Sequence, residues 1–576
     1  MLVLVLVLVL VFVLVIEKTA APLPRRPEQN SCGKIGPLLS ADGERLSNFH
    51  RRTKVNDIMN SNQFSRRDFA RSAGLTAAAL VFGRGIGLGS DYARASSEAR
   101  SALSDYERYD GLGLAGLVKD GTVRASELLE AAMERVEQRN PAINAVVDRM
   151  YDQAKAGIAA GLPSGPFAGV PYLLKDIGPY YAGTITTLGS SAFRKFVPDH
   201  DSEMVVRLKR AGLVIFGKTH TPEFGLSSSA ESRLFGATHN PWNLGYSAGG
   251  SSGGSAAAIA SGMVPMAYGN DGGGSIRIPA SCCGLFGLKP TRARTPVGPD
   301  AGEWWSGMAI AHAITRSVRD SAALLDATAG PEIGDPYWAP PPKRSYQAEV
   351  GADPGRLRIA FTSKPWNFHD VDSECVDALD EAAKLCEDLG HHVEEASPEI
   401  NQVALGKAVG IIITAQTRAL MQFAAVVLGR QATSEDVETV TWAYAEYARQ
   451  FSASDYAEAI SEVHRAGRVV GRFFTRYDIL LTPTMCTPPH RLGELSMMKT
   501  DIDTFNFIGS GDGAFTQLFN ASGNPAMSVP LHWSTEGLPV GVQFVAPFGD
   551  EATLFRLATQ LETARPWANR RPAQTF

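Results

Sequence analysis

Between Gly245 and Pro290 the chain carries two glycine-serine loops around one short apolar segment, and no other stretch constrains the fold as strongly. It reads G-Y-S-A-G-G-S-S-G-G-S-A-A-A-I-A-S-G, then P-M-A-Y-G-N-D-G-G-G-S-I-R-I-P-A-S, then C-C-G-L-F-G-L-K-P, with Ser251 in the first loop and Ser275 in the second. Glycine this dense is costly to order on folding. Its main use is to let backbone N–H groups approach a ligand, or to adopt dihedrals that a side chain forbids. Two such loops need a functional reason.

With 576 residues, 44% hydrophobic and 20% charged, the chain has the apolar material for a large core. A net charge of -5, with no long Lys/Arg run in the body of the chain, leaves no electrostatic footprint for nucleic acid. The six cysteines (Cys32, Cys282, Cys283, Cys375, Cys386, Cys486) contain no C-x-x-C pair, which argues against a disulfide scaffold or a zinc site.

Met1 to Ile16 alternate Leu and Val and are followed by Glu17 and Lys18. The run is shorter than the roughly 20 residues that span a bilayer as a helix, and it lacks a basic leading region. The favoured reading is translated sequence upstream of a start at Met59, in preference to a membrane anchor. From Ser65 the chain reads S-R-R-D-F-A-R-S-A-G-L-T-A-A-A-L-V-F-G, with Arg66 and Arg67 paired, Phe69 two positions on, an apolar run, and Ala93-Arg94-Ala95 as a cleavage site. This resembles a twin-arginine export signal. The expected organisation is therefore an upstream segment over 1–58, a signal peptide over 59–95, and one catalytic domain over 96–576. That domain is expected to cross the membrane already folded, with the export machinery as a passing partner, and to work in the periplasm or outside the cell.

Ser126 is placed to cap a packing helix, E-L-L-E-A-A-M-E-R-V-E-Q-R-N, with Leu128, Leu129, Ala132, Met133 and Val136 on one face and Pro141 beyond its end. The run from Gly165 to Asp176 is a short apolar strand that delivers Lys175 to its end, where a lysine is ordinarily solvated. A-G-L-V-I-F-G-K-T gives a buried strand, T-R-S-V-R-D-S-A-A-L-L-D a helix, the Pro-rich run near Pro340 a surface crossing, and R-L-R-I-A-F another strand. His391 and His392 form a turn into a strand. Helices dominate from Asp372 to Phe474, and two strands and a helix over Leu554 to Leu561 close the chain. Strands at both ends, without repeat or linker, predict one α/β domain built on one shared sheet.

Three readings of the glycine-serine region compete. Phosphate binding lacks the G-K-[ST] ending and a G-x-G-x-x-G after a strand. Gly245-Tyr246-Ser247-Ala248-Gly249 matches the G-x-S-x-G of a nucleophile elbow, but that motif needs a strand just before the serine, and N-P-W-N-L-G is turn-like. The third reading asks what could activate a serine without histidine. The loops contain none, His239 and His312 lie outside them, and no H-E-x-x-H occurs. A lysine kept neutral by burial can deprotonate a serine, and Lys175 at the end of an apolar strand could be such a lysine.

G-G-S-S-G-G-S-A-A-A from Gly249, D-G-G-G-S-I-R-I-P-A-S from Asp271 and G-V-P-Y-L-L-K-D upstream strongly resemble the amidase signature family of serine hydrolases. The resemblance runs from about Leu112 through the C-terminal helix. It includes G-K-T-H-T-P-E-F near Gly217, G-L-K-P-T at Gly287 and the segment around Pro525. Within the family, N-P-W-N-L-G, G-N-D-x-x-G-S-I-R-I-P-A-S and G-P-F-A-G-V-P-Y-L-L-K-D are similar to the 6-aminohexanoate cyclic-dimer hydrolase group.

The resemblance implies an α/β fold, a single large domain with a central mixed β-sheet flanked by helices, and cofactor-free, metal-independent hydrolysis of a small-molecule amide. It implies Ser275 as nucleophile, Ser251 as a bridging serine held through a cis peptide, and Lys175 as base. Gly272, Gly273, Gly274 and Ser275 are expected to form the oxyanion hole. Asp271 and Arg277 are expected to order the loop, Ser252 to support Ser251, and Ser255 to start a helix. Trp304 and Trp305 fit a pocket wall or the core equally well, and Cys486 has no assigned role. A homodimer is allowed. Two alternatives accompany this reading: the glutaminase subunit of a tRNA amidotransferase, against which the export signal argues, and an inactive binding protein with the same fold.

Overall fold

Fifteen strands are present among residues 103–573, which are the residues that the computed structural model describes. The Leu/Val run, the arginine pair and the Ala93–Ala95 site lie outside them. In chain order the strands are β1 Val146–Arg149, β2 Pro171–Lys175, β3 Val214–Thr219, β4 Glu231–Ser232, β5 Gly236–Ala237, β6 His239–Asn240, β7 Asn243–Ser247, β8 Met266–Asp271, β9 Phe286–Lys289, β10 Ile310–Thr315, β11 Arg358–Phe361, β12 His392–Glu395, β13 Ile479–Pro483, β14 Ala526–Trp533 and β15 Pro539–Val545. Eleven of them form one sheet in the order β1-β3-β2-β8-β10-β9-β14-β15-β13-β11-β12. The remaining four make two short ribbons, β4 with β5 and β6 with β7.

The sheet is mixed, as expected. β2 runs parallel to both β3 and β8, β11 is parallel to β12 and β13, and the strands between them pair antiparallel. Strands with neighbours on both edges and helices over their faces bury both sets of side chains, so they read as unbroken apolar runs. P-Y-L-L-K and V-I-F-G-K-T are buried at every position. One apolar cluster joins Leu128 and Val136 to Leu174, Ile259 and Ala267, and a second joins Leu379 and Leu557 to Ile479 and Phe544.

Parallel neighbours put their carboxyl ends on the same edge of a sheet, and in open α/β sheets ligands bind outside that edge. Here the rule places Lys175, the last residue of β2, beside the end of β8 at Asn270 and Asp271. β10 returns antiparallel, with Ile310 opposite Asp271, so the segment carrying Trp304 and Trp305 arrives at this edge as well.

Three local expectations need correction. The helix expected from Ser126 is Ala125–Ile143, capped by Arg124, whose backbone N–H donates to Glu127 Oε2 (2.8 Å), and Pro141 lies inside its last turn. Asn140 carries the chain through that turn, its Oδ1 accepting from the N–H of Ala145 and of Val146 at 2.8 Å each. Of N-P-W-N-L-G (240–245), expected as a turn, only Pro241 and Trp242 lie outside a strand, and residues 243–245 belong to β7, in a ribbon outside the main sheet. Ser255 is the third residue of the helix Gly253–Ala260, which Ser252 precedes as cap residue.

Candidate active site

β2 delivers Lys175 fully buried, and its Nζ lies 2.7 Å from Ser251 Oγ and 2.6 Å from Asn270 Oδ1. Burial holds the Lys175 ammonium well below the usual lysine range, and the negative charge of Asp271 opposes that shift only in part. Two other buried lysines differ in their surroundings. Lys218 Nζ donates to Thr186 Oγ1 (2.6 Å), Lys289 Nζ donates to the Pro290 carbonyl (2.9 Å), and neither borders the cavities described below.

Ser251 follows a cis peptide from Gly250 and is buried. The next residue joins the two glycine-serine loops: the Ser252 N–H donates to the Ser275 carbonyl (3.2 Å) and its Oγ to the Asn270 carbonyl (3.3 Å). Ser275 is half-buried, and its hydroxyl has no hydrogen-bond partner among the described residues. It borders two cavities, of about 760 and 770 Å³, which share Gly225, Ser275 and Trp305 as wall residues. Trp305 thus lines both and Trp304 the second. Cys486 is buried and lines neither.

The loop from Asp271 to Arg277 is built around one carboxylate. Asp271 Oδ1 accepts from the Gly274 N–H, Arg277 Nη2 and Asn520 Nδ2, each at 2.8 Å, while Oδ2 accepts from the Ile276 N–H (3.1 Å) and Arg277 Nε (2.9 Å). Burial alone would raise the Asp271 pKa, but the Arg277 charge and these donors hold it well below the carboxylate range. Arg277 is itself fully buried, donating also to the Thr516 carbonyl (2.9 Å), Gln543 Oε1 (2.7 Å) and Asn520 Oδ1 (2.5 Å).

This arrangement corrects one expected role. The Gly274 N–H is engaged by Asp271, so it does not point at a ligand; Gly274 serves instead by its φ of 141°, which a side chain would adopt only with strain. The N–H groups of Gly272, Gly273 and Ser275 take no partner among the described residues and remain as donors at the junction of the two cavities.

Ser247 has no such setting. It is buried at the end of β7, and its Oγ meets Ser229 Oγ (2.7 Å) and accepts from the Gly249 N–H (3.0 Å), with no base in contact. His312 is buried against Ser321 Oγ, and burial pushes its pKa down to about 3. His239 Nδ1 meets the Leu244 carbonyl (2.7 Å). The sequence reading missed Asn270, Asn520, Gln543 and Thr516. Of these, only Asn270 adjoins a motif, G-N-D, that could have marked it.

The family profile described as Amidase matches residues 127–555. The 6-aminohexanoate-cyclic-dimer hydrolase of Paenarthrobacter ureafaciens is 40% identical over 475 residues, covering 80% of this chain and 96% of the relative. A solved structure of 6-aminohexanoate cyclic dimer hydrolase superposes with a TM-score of 0.77 at 40% identity, covering 81% of this chain and 99% of the other. A bacterial aryl acylamidase of the amidase signature family superposes with a TM-score of 0.76 at 27% identity, over 81% of this chain and 99% of the other.

Proposed function

The chain belongs to the amidase family and is an amide hydrolase, and from that premise we propose that it cleaves N-substituted amides through Lys175, Ser251 and Ser275. Neutral Lys175 takes the proton of Ser251, Ser251 takes that of Ser275, and Ser275 Oγ attacks the amide carbonyl carbon. The oxyanion forms against the N–H groups of Gly272, Gly273 and Ser275, where preorganised donors contribute a few kcal/mol each. The C–N bond breaks as the relay returns its proton to the amine nitrogen, leaving an ester on Ser275. Water then gives a proton to the relay, attacks the ester carbonyl and restores the Ser275 hydroxyl. The balance is R-CO-NH-R' plus H₂O giving R-COOH and R'-NH₂.

One observation carries the substrate class: two cavities of similar size, about 760 and 770 Å³, meet at Ser275. Each falls within the usual size of a small-molecule site. A primary amide, which releases ammonia, would use one of them only. Because Ser251 returns the proton to the amine, the amine side belongs in the cavity that Ser251 lines, with Trp304 and Tyr180. The acyl side belongs in the other, walled by Leu405, Val409, Ile413 and Tyr444. The 6-aminohexanoate cyclic dimer and the aryl acylamide in the relatives' names both have bulk on each side of the C–N bond.

The test is a panel of amides that share one acyl group and differ in the amine, with Ser275→Ala as control. N-substituted members should exceed the primary amide in kcat/KM, and Ser275→Ala should lose at least about 10² in kcat. Fastest turnover of glutamine or another primary amide would contradict the reading. Twin-arginine export to the periplasm belongs to the same proposal, supported by the order of Arg66-Arg67, apolar run and Ala93-Arg94-Ala95.

A further inference from the structure

Lys175 has a second partner that the relay leaves unused. Asn270 ends on the same edge of the sheet, its Oδ1 accepts from Lys175 Nζ at 2.6 Å, and its Nδ2 donates to the Ile177 carbonyl at 3.0 Å. The amide orientation is set by chemistry, since the flipped amide would put a donor against Nζ and an acceptor against the carbonyl. We propose that Asn270 is a positioning residue for the relay, holding one N–H of Lys175 so that the nitrogen lone pair faces Ser251. This rests on the reading of Lys175 as the base.

A neutral amine has two N–H groups and one lone pair, and it turns freely about the Cε–Nζ bond. Ser251 Oγ, at 2.7 Å, can accept from Nζ or donate to it. Asn270 Oδ1 can only accept. Of the three staggered positions, an N–H fixed on Oδ1 removes the one that turns the lone pair to Asn270 and an N–H to the serine, and of the two that remain one aims the lone pair at Ser251. The same contact leaves the ammonium form solvated by a neutral acceptor, so the lysine gains a partner without gaining a counter-ion.

A second feature maintains this geometry. Gly178 has φ +112°, and a Cβ there would come within 2.8 Å of Asn270 Nδ2. The glycine of K-D-I-G therefore keeps room for the amide. The charge that acts on the lysine is Asp271, tied to Arg277; Asp176, the next residue in the chain, is instead hydrogen-bonded to Thr187 and lies near Lys218.

The experiment is the pH profile of kcat/KM for Asn270→Asp and Asn270→Ala, beside wild type and Lys175→Met. Asp places a carboxylate where a neutral acceptor stood, and an opposite charge at that range shifts a pKa by about 1–3 units. The acid limb of Asn270→Asp should move up by that amount and the rate should recover above it. Asn270→Ala should lose about tenfold or more in kcat with KM within about twofold, because only orientation is removed, and its limb should not move up. An unmoved limb in Asn270→Asp, or wild-type kcat in Asn270→Ala, would overturn the proposal. Gly178→Ala crowds the amide without touching Lys175, and it should show the same kcat loss; a wild-type kcat there also counts against it. If Lys175→Met itself retains activity, the failure lies in the assignment of the base and not in the role of Asn270.

Discussion

Replacing Asp271 with asparagine tests how the nucleophile loop is held. The side chain keeps its shape, but whichever way the new amide turns, its NH₂ faces donors: three at the Oδ1 position, or two close ones and the Arg277 N–H at 3.4 Å at the Oδ2 position. At least two bonds are lost, one or more of them to Arg277, and hydrogen bonds to charged groups contribute about 1.5–3 kcal/mol each. The sum, about 3–6 kcal/mol, agrees with the 3–5 kcal/mol typical of removing one partner from a buried ion pair. Both Asp271 and Arg277 are fully buried, so solvent screening does not reduce it. At about 2.1 cal/mol/K per residue over the roughly 470 described residues, the unfolding entropy is about 1 kcal/mol/K, so Tm should fall by about 3–5 °C. Loss of the Gly274 and Ile276 anchors should also lower kcat by about 10² or more. Calorimetry and a single amide assay suffice. A Tm change below about 1 °C with kcat within threefold of wild type would refute the claim that this carboxylate orders the loop.

Three further outcomes are expected. Burial favours neutral His490, but Asp512 (2.8 Å) and Glu494 (3.2 Å) outweigh it and push its pKa up to about 9. That stabilisation should be complete below the unfolded value near 6.5 and lost as pH rises through about 9; the urea midpoint should fall over this window in wild type and not in His490→Gln, and equal slopes would count against the pair. Gly410 lines the acyl-side cavity, and a Cβ there meets nothing within 4 Å, so Gly410→Leu should fold normally yet cut kcat/KM for long acyl chains at least about tenfold while sparing acetamides; equal loss across the series would contradict the acyl assignment. N-terminal sequencing of exported protein should begin near Ser96, and Arg66→Lys with Arg67→Lys should keep the protein inside the cell.

Much of the candidate site was legible because the groups that the structure brings together lie in short local runs. Ser251 and Ser275 stand in glycine loops, Lys175 ends an apolar strand, and Asp271 and Arg277 share one loop and one ion pair. The shared sheet followed from apolar runs at both ends of the domain. What could not be read depends on long-range approach. Asn520 and Gln543 meet Arg277 from positions 243 and 266 residues away, and nothing in their own neighbourhoods marks them. Gly274 was expected to donate to an oxyanion because its motif is glycine-rich, but only the fold shows Asp271 taking that N–H. The helix Ala125–Ile143 passed its expected end because the Asn140 side chain, and not a terminal residue at Pro141, closes the turn.

Mapping the acyl-enzyme tests the central claim most directly. A slowly turned-over aryl amide, quenched in acid during the first turnover, should leave one acyl group on the peptide that contains Ser275. The adduct should be absent from Ser275→Ala and should form at least about 10² more slowly in Lys175→Met. An acyl group found on Ser247 or Cys486, or undiminished turnover in Ser275→Ala, would contradict it.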